Sequence, residues 1–386
     1  MELKKICVFV GGRANYGSIR SALFEIKRHP ELELIIILGC SGLLKKYGDL
    51  ESILLKDGFE INERVHMLVQ GENPNAMVKT TALGMLGLAD IYERINPDFV
   101  IVIGDRYEVM APTIAAAYMN IPVVHTMGGE VTGTIDESIR HAITKFAHVH
   151  FPANRDSAER IIKMGENPEY VFTVGCPRID SVKQIIDENP DVPCDIFSVC
   201  GGVGHIFDLN QPFLLVSQHP VTTEYSDAKK QIFETLYAVA EVGLPIIMLW
   251  PNSDAGTEGI SRGIRTFREE HPEVVLHAFT NLPMNMYIRL MNNTACLVGN
   301  SSSGIREGAF LGTPCVNIGT RQAGRERGAN VIDVDCDRNN ILEAIKKQIE
   351  HGRYASEPIY GDGTAGKKIA DILSKVSVNV QKRIMY

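Results

Sequence analysis

No apolar run in this 386-residue chain approaches the ~20 residues that a membrane-spanning helix needs, so no transmembrane helix is expected. Its eight cysteines include no CxxC pair, which argues against a zinc site and against a disulfide framework. Cys7, Cys296 and Cys315 instead fall inside apolar runs, where a free thiol behaves as a small hydrophobe. There is no excess of positive charge. Lys and Arg number 39 against 47 Asp and Glu, for a net charge of −8, and a nucleic-acid binder would normally be basic. Charge blocks, low-complexity tracts and short internal repeats are also missing. The opening MELKKICVFVGG stops at glycine before a signal-peptide core could form, so it reads as a first strand of a cytoplasmic protein.

Three familiar signatures are absent as well. The turn after the first apolar run, VGGR at 10–13, falls short of a complete G-x-G-x-x-G fingerprint. The stretch GNSSSGIREG at 299–308 has its glycines five apart, unlike a nucleophile elbow. It also lacks the Lys-Ser/Thr that completes a phosphate loop. What remains there is a strand end, several hydroxyls and a helix start, an arrangement suited to an anion.

What is present is alternation. Runs at 5–10, 32–38, 98–104, 122–125 and 170–175 read as strands, with amphipathic stretches such as 17–28 and 79–95 between them. The segment 187–212, rich in Pro and Gly, interrupts the pattern and reads as an interdomain region. Strands resume at 213–218, 245–250, 273–279, 295–299 and 314–319. The expected fold class is therefore α/β: two doubly wound Rossmann-like domains facing a central cleft. The first spans 1–186 and the second 187–365, with 366–386 as a C-terminal helical segment.

The polar residues gather just past the strands' carboxyl ends, where open α/β sheets bind ligands. Ser301 and Ser302 are placed to hold a diphosphate at a helix N-terminus, with Glu307 set to accept from ribose hydroxyls. Arg13 suits a phosphate, and Arg321 is its counterpart in the second half. Asp105 and Arg106 end an apolar strand, where a buried charged pair is costly without purpose. Glu130 and Glu137 flank Gly133, a pairing able to do acid–base work if their environments differ. His219, held extended by Pro220, is a candidate proton donor.

Taken together, GGRANYG, IGDRYE, GGEVTGTIDESIRHAITKFAH, QHPVTTE, PNSDAG, GNSSSGIREGAFLGTP, NIGTRQAGRERG and IYGDG resemble the hydrolysing UDP-N-acetylglucosamine 2-epimerases of sialic- and legionaminic-acid biosynthesis. The resemblance spans 11–363 and implies the GT-B architecture, a nucleotide-sugar substrate and no metal or redox cofactor. The implied reaction eliminates UDP, passes through a glycal and adds water with inversion at C2. Asp105, Glu130 and Glu137 match the catalytic carboxylates, with His219 beside the diphosphate. Arg106, Asn252 and Asp254 match further ligand contacts. Members form dimers or tetramers, so a homo-oligomer is expected. Three departures from the pattern stand out. Asn15 and Gly17 replace acidic and serine residues, Met127 replaces an acid, and Met284 replaces a phenylalanine that stacks on uracil. These changes bring GDP sugars and 2,4-diacetamido-trideoxyhexoses into consideration. A non-hydrolysing epimerase and a GT-B glycosyltransferase remain as alternatives.

Overall fold

The computed structural model describes residues 3–70, 74–131, 135–193, 195–221, 224–251, 256–280 and 282–385. The chain divides into two compact units, one of Met1–Ser181 with Tyr360–Tyr386 and the other of Val182–Ile359. No described helix is long and apolar enough to cross a membrane.

In the first unit the strands are β1 (Lys4–Val10), β2 (Leu32–Gly39), β3 (Glu63–Val65), β4 (Phe99–Ile103), β5 (Val123–Thr126) and β6 (Val149–Phe151). They form a parallel sheet in the order β3-β2-β1-β4-β5-β6. Helices α1 (Arg13–Arg28), α2 (Leu50–Lys56), α3 (Pro74–Ile95), α4 (Met110–Tyr118), α5 (Ile135–Phe146), α6 (Arg155–Lys163) and the start of α7 (Pro177–Glu188) connect them. Ile6, Val8 and Val10 point into one apolar cluster and Cys7 and Phe9 into another. Both faces of β1 are therefore covered, which is why its sequence is continuously apolar rather than alternating.

The second unit contains α8 (Ile196–Cys200), β7 (Val203–Gly204), β8 (Leu214–Ser217), α9 (Ala228–Val242), β9 (Ile246–Leu249), α10 (Thr257–Glu270), β10 (Leu276–Phe279), α11 (Met284–Asn293), β11 (Cys296–Gly299), α12 (Glu307–Leu311), β12 (Cys315–Ile318), β13 (Val331–Val334) and α13 (Arg338–His351). Its sheet runs β13-β12-β11-β8-β9-β10-β7, parallel throughout except for the edge strand β7.

Two sequence expectations change. Residues 170–175 form no strand; only Val171 bridges to His150, because a 3-10 turn at Pro168–Tyr170 and Gly175 at φ 94 leave little extended chain. Residues 187–212 are not a bare connection, since they supply α8 and β7 to the second unit. The cysteines in apolar runs are buried free thiols, with Cys7 and Cys315 each pushed up to about 12 by burial.

The last helix, α14 (Ala365–Lys375), belongs to the first unit. Ile369, Ala370 and Leu373 enter the same cluster as Ile19 and Leu23 of α1. Both of its ends are held by charge. Asp180 accepts from the amides of Ala365 and Gly366 at 3.0 and 2.7 Å, filling the anionic position at a helix N-terminus. Lys4 donates to the carbonyls of Leu373, Ser374 and Val376 at 3.3, 2.7 and 3.1 Å, the matching cation at the C-terminus. Close approach of the two helices requires glycine at 366, where a Cβ would lie 2.7 Å from the Ser21 backbone. Gly366→Ala is expected to lower stability by about 1–3 kcal/mol through overpacking, despite alanine's better helix propensity. Chemical denaturation of the two proteins checks this, and an unchanged midpoint would show that the helices can spread at no cost.

Candidate functional site

In a doubly wound sheet the loops leaving two neighbouring strands diverge where the chain reverses its direction of winding, and ligands bind there. In the first unit that point lies between β1 and β4, which are paired at Ile6–Val8 with Phe99–Ile101. The loops leaving them are Gly11–Arg13 and Gly104–Arg106. In the second unit it lies between β8 and β11, paired through Ser217 and Gly299, and the loops begin at Gln218–His219 and Asn300–Ser301.

The first unit's charges converge on a residue that the sequence did not single out. Arg140, on α5, is 1% exposed. It forms ion pairs with Asp105 and, at 3.0 Å, with Glu137 one turn earlier on its own helix. Its Nη1 also donates to the Glu130 carbonyl at 2.8 Å. The carboxylates of Asp105 and Glu137 and the main chain of Glu130 are thus tied to one guanidinium, a planar fork suited to several fixed acceptors at once. Glu137 additionally contacts His141 Nε2 at 3.0 Å. The spacing of Glu137 and Arg140 at i, i+3 was readable from the sequence. The reach of Arg140 to Asp105 was not, because 35 residues separate them.

Asp105 and Arg106 do not pair with each other. Asp105 turns to Arg140, whereas Arg106 takes the buried Glu108 at 2.9 Å, and that carboxylate raises the Arg106 guanidinium further above its ordinary value. Arg13 opens α1, is exposed, and lies against Gly48. Asn15, the departure noted above, is buried and donates to the Ile103 carbonyl at 3.3 Å, tying α1 to the end of β4.

Beneath these groups sits His125 on β5, fully buried. Its Nε2 meets the Gly104 carbonyl at 2.8 Å and its Nδ1 meets Thr144 Oγ1 of α5 at 3.2 Å. A carbonyl can only accept, so the proton is on Nε2 and Nδ1 accepts from the hydroxyl. Burial holds the imidazole at about 3, so it is neutral over the physiological range. This neutral ring joins the loop bearing Asp105 to the helix bearing Glu137.

In the second unit, Asn300 is the corresponding hub. Its Oδ1 accepts from the His219 amide at 2.7 Å and its Nδ2 donates to the His219 carbonyl at 2.8 Å. Its own carbonyl accepts from Arg321 at 3.2 Å and Gln322 at 2.9 Å. His219, Arg321 and the Ser301–Ser302 turn are thereby brought together. Gly299, at φ 135, allows β11 to pass Ser217, whose carbonyl would lie 2.2 Å from any Cβ at that position. The expected helix dipole behind the serines is smaller than the sequence implied. Ser302–Gly304 is a 3-10 turn and α12 is only five residues long. Glu307 starts α12 and is buried. Met284 opens α11. Asn252 and Asp254 lie outside the described residues.

Two Rossmann-like units, each carrying a polar cluster at its winding reversal, make a GT-B-like α/β protein. The family model for UDP-N-acetylglucosamine 2-epimerase matches residues 24–374, and the chain belongs to that family. It is 34% identical to a hydrolysing UDP-N,N'-diacetylbacillosamine 2-epimerase of Legionella pneumophila, over 98% of each chain. A hydrolysing GDP/UDP-N,N'-diacetylbacillosamine 2-epimerase of Campylobacter jejuni is 30% identical, with 90% of this chain and 88% of that one covered. Among solved structures, the UDP-N-acetylglucosamine 2-epimerase of Neisseria meningitidis bound to UDP-GlcNAc has a TM-score of 0.80 at 18% identity, covering 97% of this chain and all of that one.

Two outcomes follow from this geometry. Arg140→Lys keeps the charge but loses the fork, and should cost roughly 1–3 kcal/mol because contacts from a buried cation to two half-buried carboxylates and a carbonyl are left unmade. A denaturation curve superimposable on the parent's would show that Arg140 is not the hub. His125 is depressed to about 3 from 6.5, so the unfolded chain binds a proton that the native state refuses between those values. Its contribution to stability is complete above about pH 6.5 and is lost as pH falls toward 3, at about 1.4 kcal/mol per pH unit. Denaturation midpoints of the parent and His125→Gln between pH 7.5 and 5 measure the difference, which vanishes if the ring is not buried neutral.

Proposed function

We propose that the chain is a hydrolysing 2-epimerase of a UDP-linked 2-acetamido hexose, releasing UDP and the free 2-epimer for nonulosonic-acid biosynthesis. UDP-N,N'-diacetylbacillosamine is placed ahead of UDP-N-acetylglucosamine as substrate. The observation that carries this reading is the convergence of the Asp105 and Glu137 carboxylates and the Glu130 main chain on buried Arg140. The names of the two hydrolysing relatives support it, and they favour the diacetamido sugar.

In this reading a carboxylate of the Asp105–Glu130–Glu137 set takes the C2 proton. The C1–oxygen bond breaks and its electron pair leaves on UDP, giving a glycal. Water then supplies hydroxyl to C1, and a proton reaches C2 from the opposite face, so one water is consumed and UDP and the free sugar are released. Departure of UDP is the step that needs stabilised negative charge. Ser301, Ser302, Arg321 and His219 are the second unit's groups for the diphosphate, and Arg13 is a further cation. One well-aimed donor to a developing anion is worth ~3 kcal/mol. Arg106, Asn252 and Asp254 are assigned to substrate contacts, Glu307 to the ribose and Met284 to the base, which a polarisable thioether can cover.

Incubation with UDP-N-acetylglucosamine, UDP-N,N'-diacetylbacillosamine and their GDP counterparts in D₂O, followed by proton NMR, tests the reading. Free 2-epimer deuterated at C2, together with UDP, is the expected outcome. Intact donors across the panel reject it, and a UDP-linked epimer without free UDP makes the enzyme non-hydrolysing. Asp105→Asn and Glu137→Gln should each lower kcat by about 10²–10⁴-fold.

A further inference from the structure

Tyr287 lies one turn into α11 from Met284, at the i, i+3 spacing that puts two residues on one helix face. Its Oη is hydrogen-bonded to Ser303 Oγ, and Ser303 Oγ is 2.8 Å from Ser301 Oγ. Ser301 Oγ also accepts from the Ser303 amide at 3.4 Å. Three hydroxyls thus form a line that ends on the serine assigned to the diphosphate, which also lies close to the Tyr287 hydroxyl itself. Ser303 is buried, while Ser301 is only half-buried and open to a ligand.

The direction of the line follows from the chemistry of its members. A phenol is a stronger acid than an alkyl hydroxyl, so in a phenol–serine pair the phenol donates and the serine accepts. Burial pushes the Tyr287 phenol up to about 12, so it keeps its proton at neutral pH. With Tyr287 donating to Ser303, the Ser303 proton is free to go to Ser301. Ser301 Oγ then accepts twice, from the Ser303 hydroxyl and the Ser303 amide, and an sp³ hydroxyl has two lone pairs. Its own proton is its one remaining hydrogen-bonding function, so it is set as a donor. Each bond in such a chain polarises the next.

We propose that Tyr287 is a positioning residue that presets the Ser301 hydroxyl as a donor to an acceptor-only ligand group, the diphosphate of the bound nucleotide. This rests on the proposed nucleotide-sugar reading. The arrangement is selective in sign. A phosphate oxygen accepts what Ser301 offers, whereas a ligand amide or hydroxyl that needed to donate would find both lone pairs taken. The orientation is fixed before binding, so the ligand does not have to reorder the turn.

The test compares UDP with uridine, which keeps the base and ribose but has no phosphate. Each is titrated by NMR into the full-length parent, Tyr287→Phe, Ser301→Ala and the double variant. Phenylalanine keeps the ring and deletes only the hydroxyl. The expected result is UDP binding about 3–10-fold weaker in Tyr287→Phe, uridine binding within twofold of the parent, and no further loss beyond twofold when Tyr287→Phe is added to Ser301→Ala. The relay is overturned if Tyr287→Phe binds UDP as the parent does, if UDP and uridine weaken alike, or if the two substitutions are additive. Ser303→Ala interrupts the line at its centre without touching the aromatic ring and must reproduce the same pattern, so a poorly folding Tyr287 variant leaves the proposal exposed to refutation. A parent protein that binds no UDP overturns the nucleotide-sugar reading itself; a parent that binds UDP beside an unaffected Tyr287→Phe overturns the relay alone.

Discussion

The reversal of winding direction in a parallel sheet is the constraint from which both polar clusters follow. Strands covered by helices on both faces have no room for charge in their interiors, and the apolar residues of β1, β4, β8 and β11 are buried accordingly. Polar chemistry is pushed to the strand ends. At most strand ends the next helix folds back over the edge. Between β1 and β4, and again between β8 and β11, the chain departs in opposite directions and leaves two adjacent ends uncovered. Gly11–Arg13 meets Gly104–Arg106 in one unit, and His219 meets Asn300–Ser302 in the other.

The two clusters solve different electrostatic problems. The first holds the carboxylates of Asp105 and Glu137 on one group, and like charges at short range repel unless a cation lies among them. Arg140 supplies it from a helix whose position His125 fixes through Thr144, while the same ring fixes the Gly104 carbonyl next to Asp105. A neutral imidazole suits this place better than a second cation, since a buried charge without its own carboxylate would be expensive. The second cluster gathers donors instead, through a main-chain clamp of Asn300 on His219, a line of uncharged hydroxyls, and the Arg321 guanidinium held on the Asn300 carbonyl.

The sequence revealed this arrangement unevenly, and the reasons are physical. Buried parallel strands announce themselves because both faces are apolar, so β1, β2, β4, β8 and β11 were legible within a residue or two. The short strands β3, β6, β7 and β13 were not, being two to four residues long with charged, histidine or glycine members. The run 170–175 looked like a strand because composition does not report whether a neighbouring strand is available to pair. Among site residues, those following strand ends were readable from position alone. His125, Asn300 and Tyr287 were not, because their partners are 16 to 81 residues away, and Arg140 was readable only through Glu137, since its reach to Asp105 spans 35 residues and needs the fold. Asp105 and Arg106 show that adjacency in sequence does not decide partners, since the fold divides the two between Arg140 and Glu108.

Asn15 shows how a departure from a family pattern changes meaning once its surroundings are known. From sequence, an amide in place of an acid there was one of the departures that brought other nucleotide sugars into consideration. In the fold, residue 15 faces the Ile103 carbonyl, which can accept from an amide and would repel a carboxylate. The substitution also leaves the first turn of α1 with no acid at all, and Gly12, the residue before the helix, contributes no side-chain cap. The positive end of this sixteen-residue helix, about half an elementary charge, is therefore not cancelled locally and adds to the exposed guanidinium of Arg13. The exchange of Asp or Glu for Asn thus makes the end of β1 more attractive to an anion while stitching it to β4, and the two effects come from the same neutral side chain.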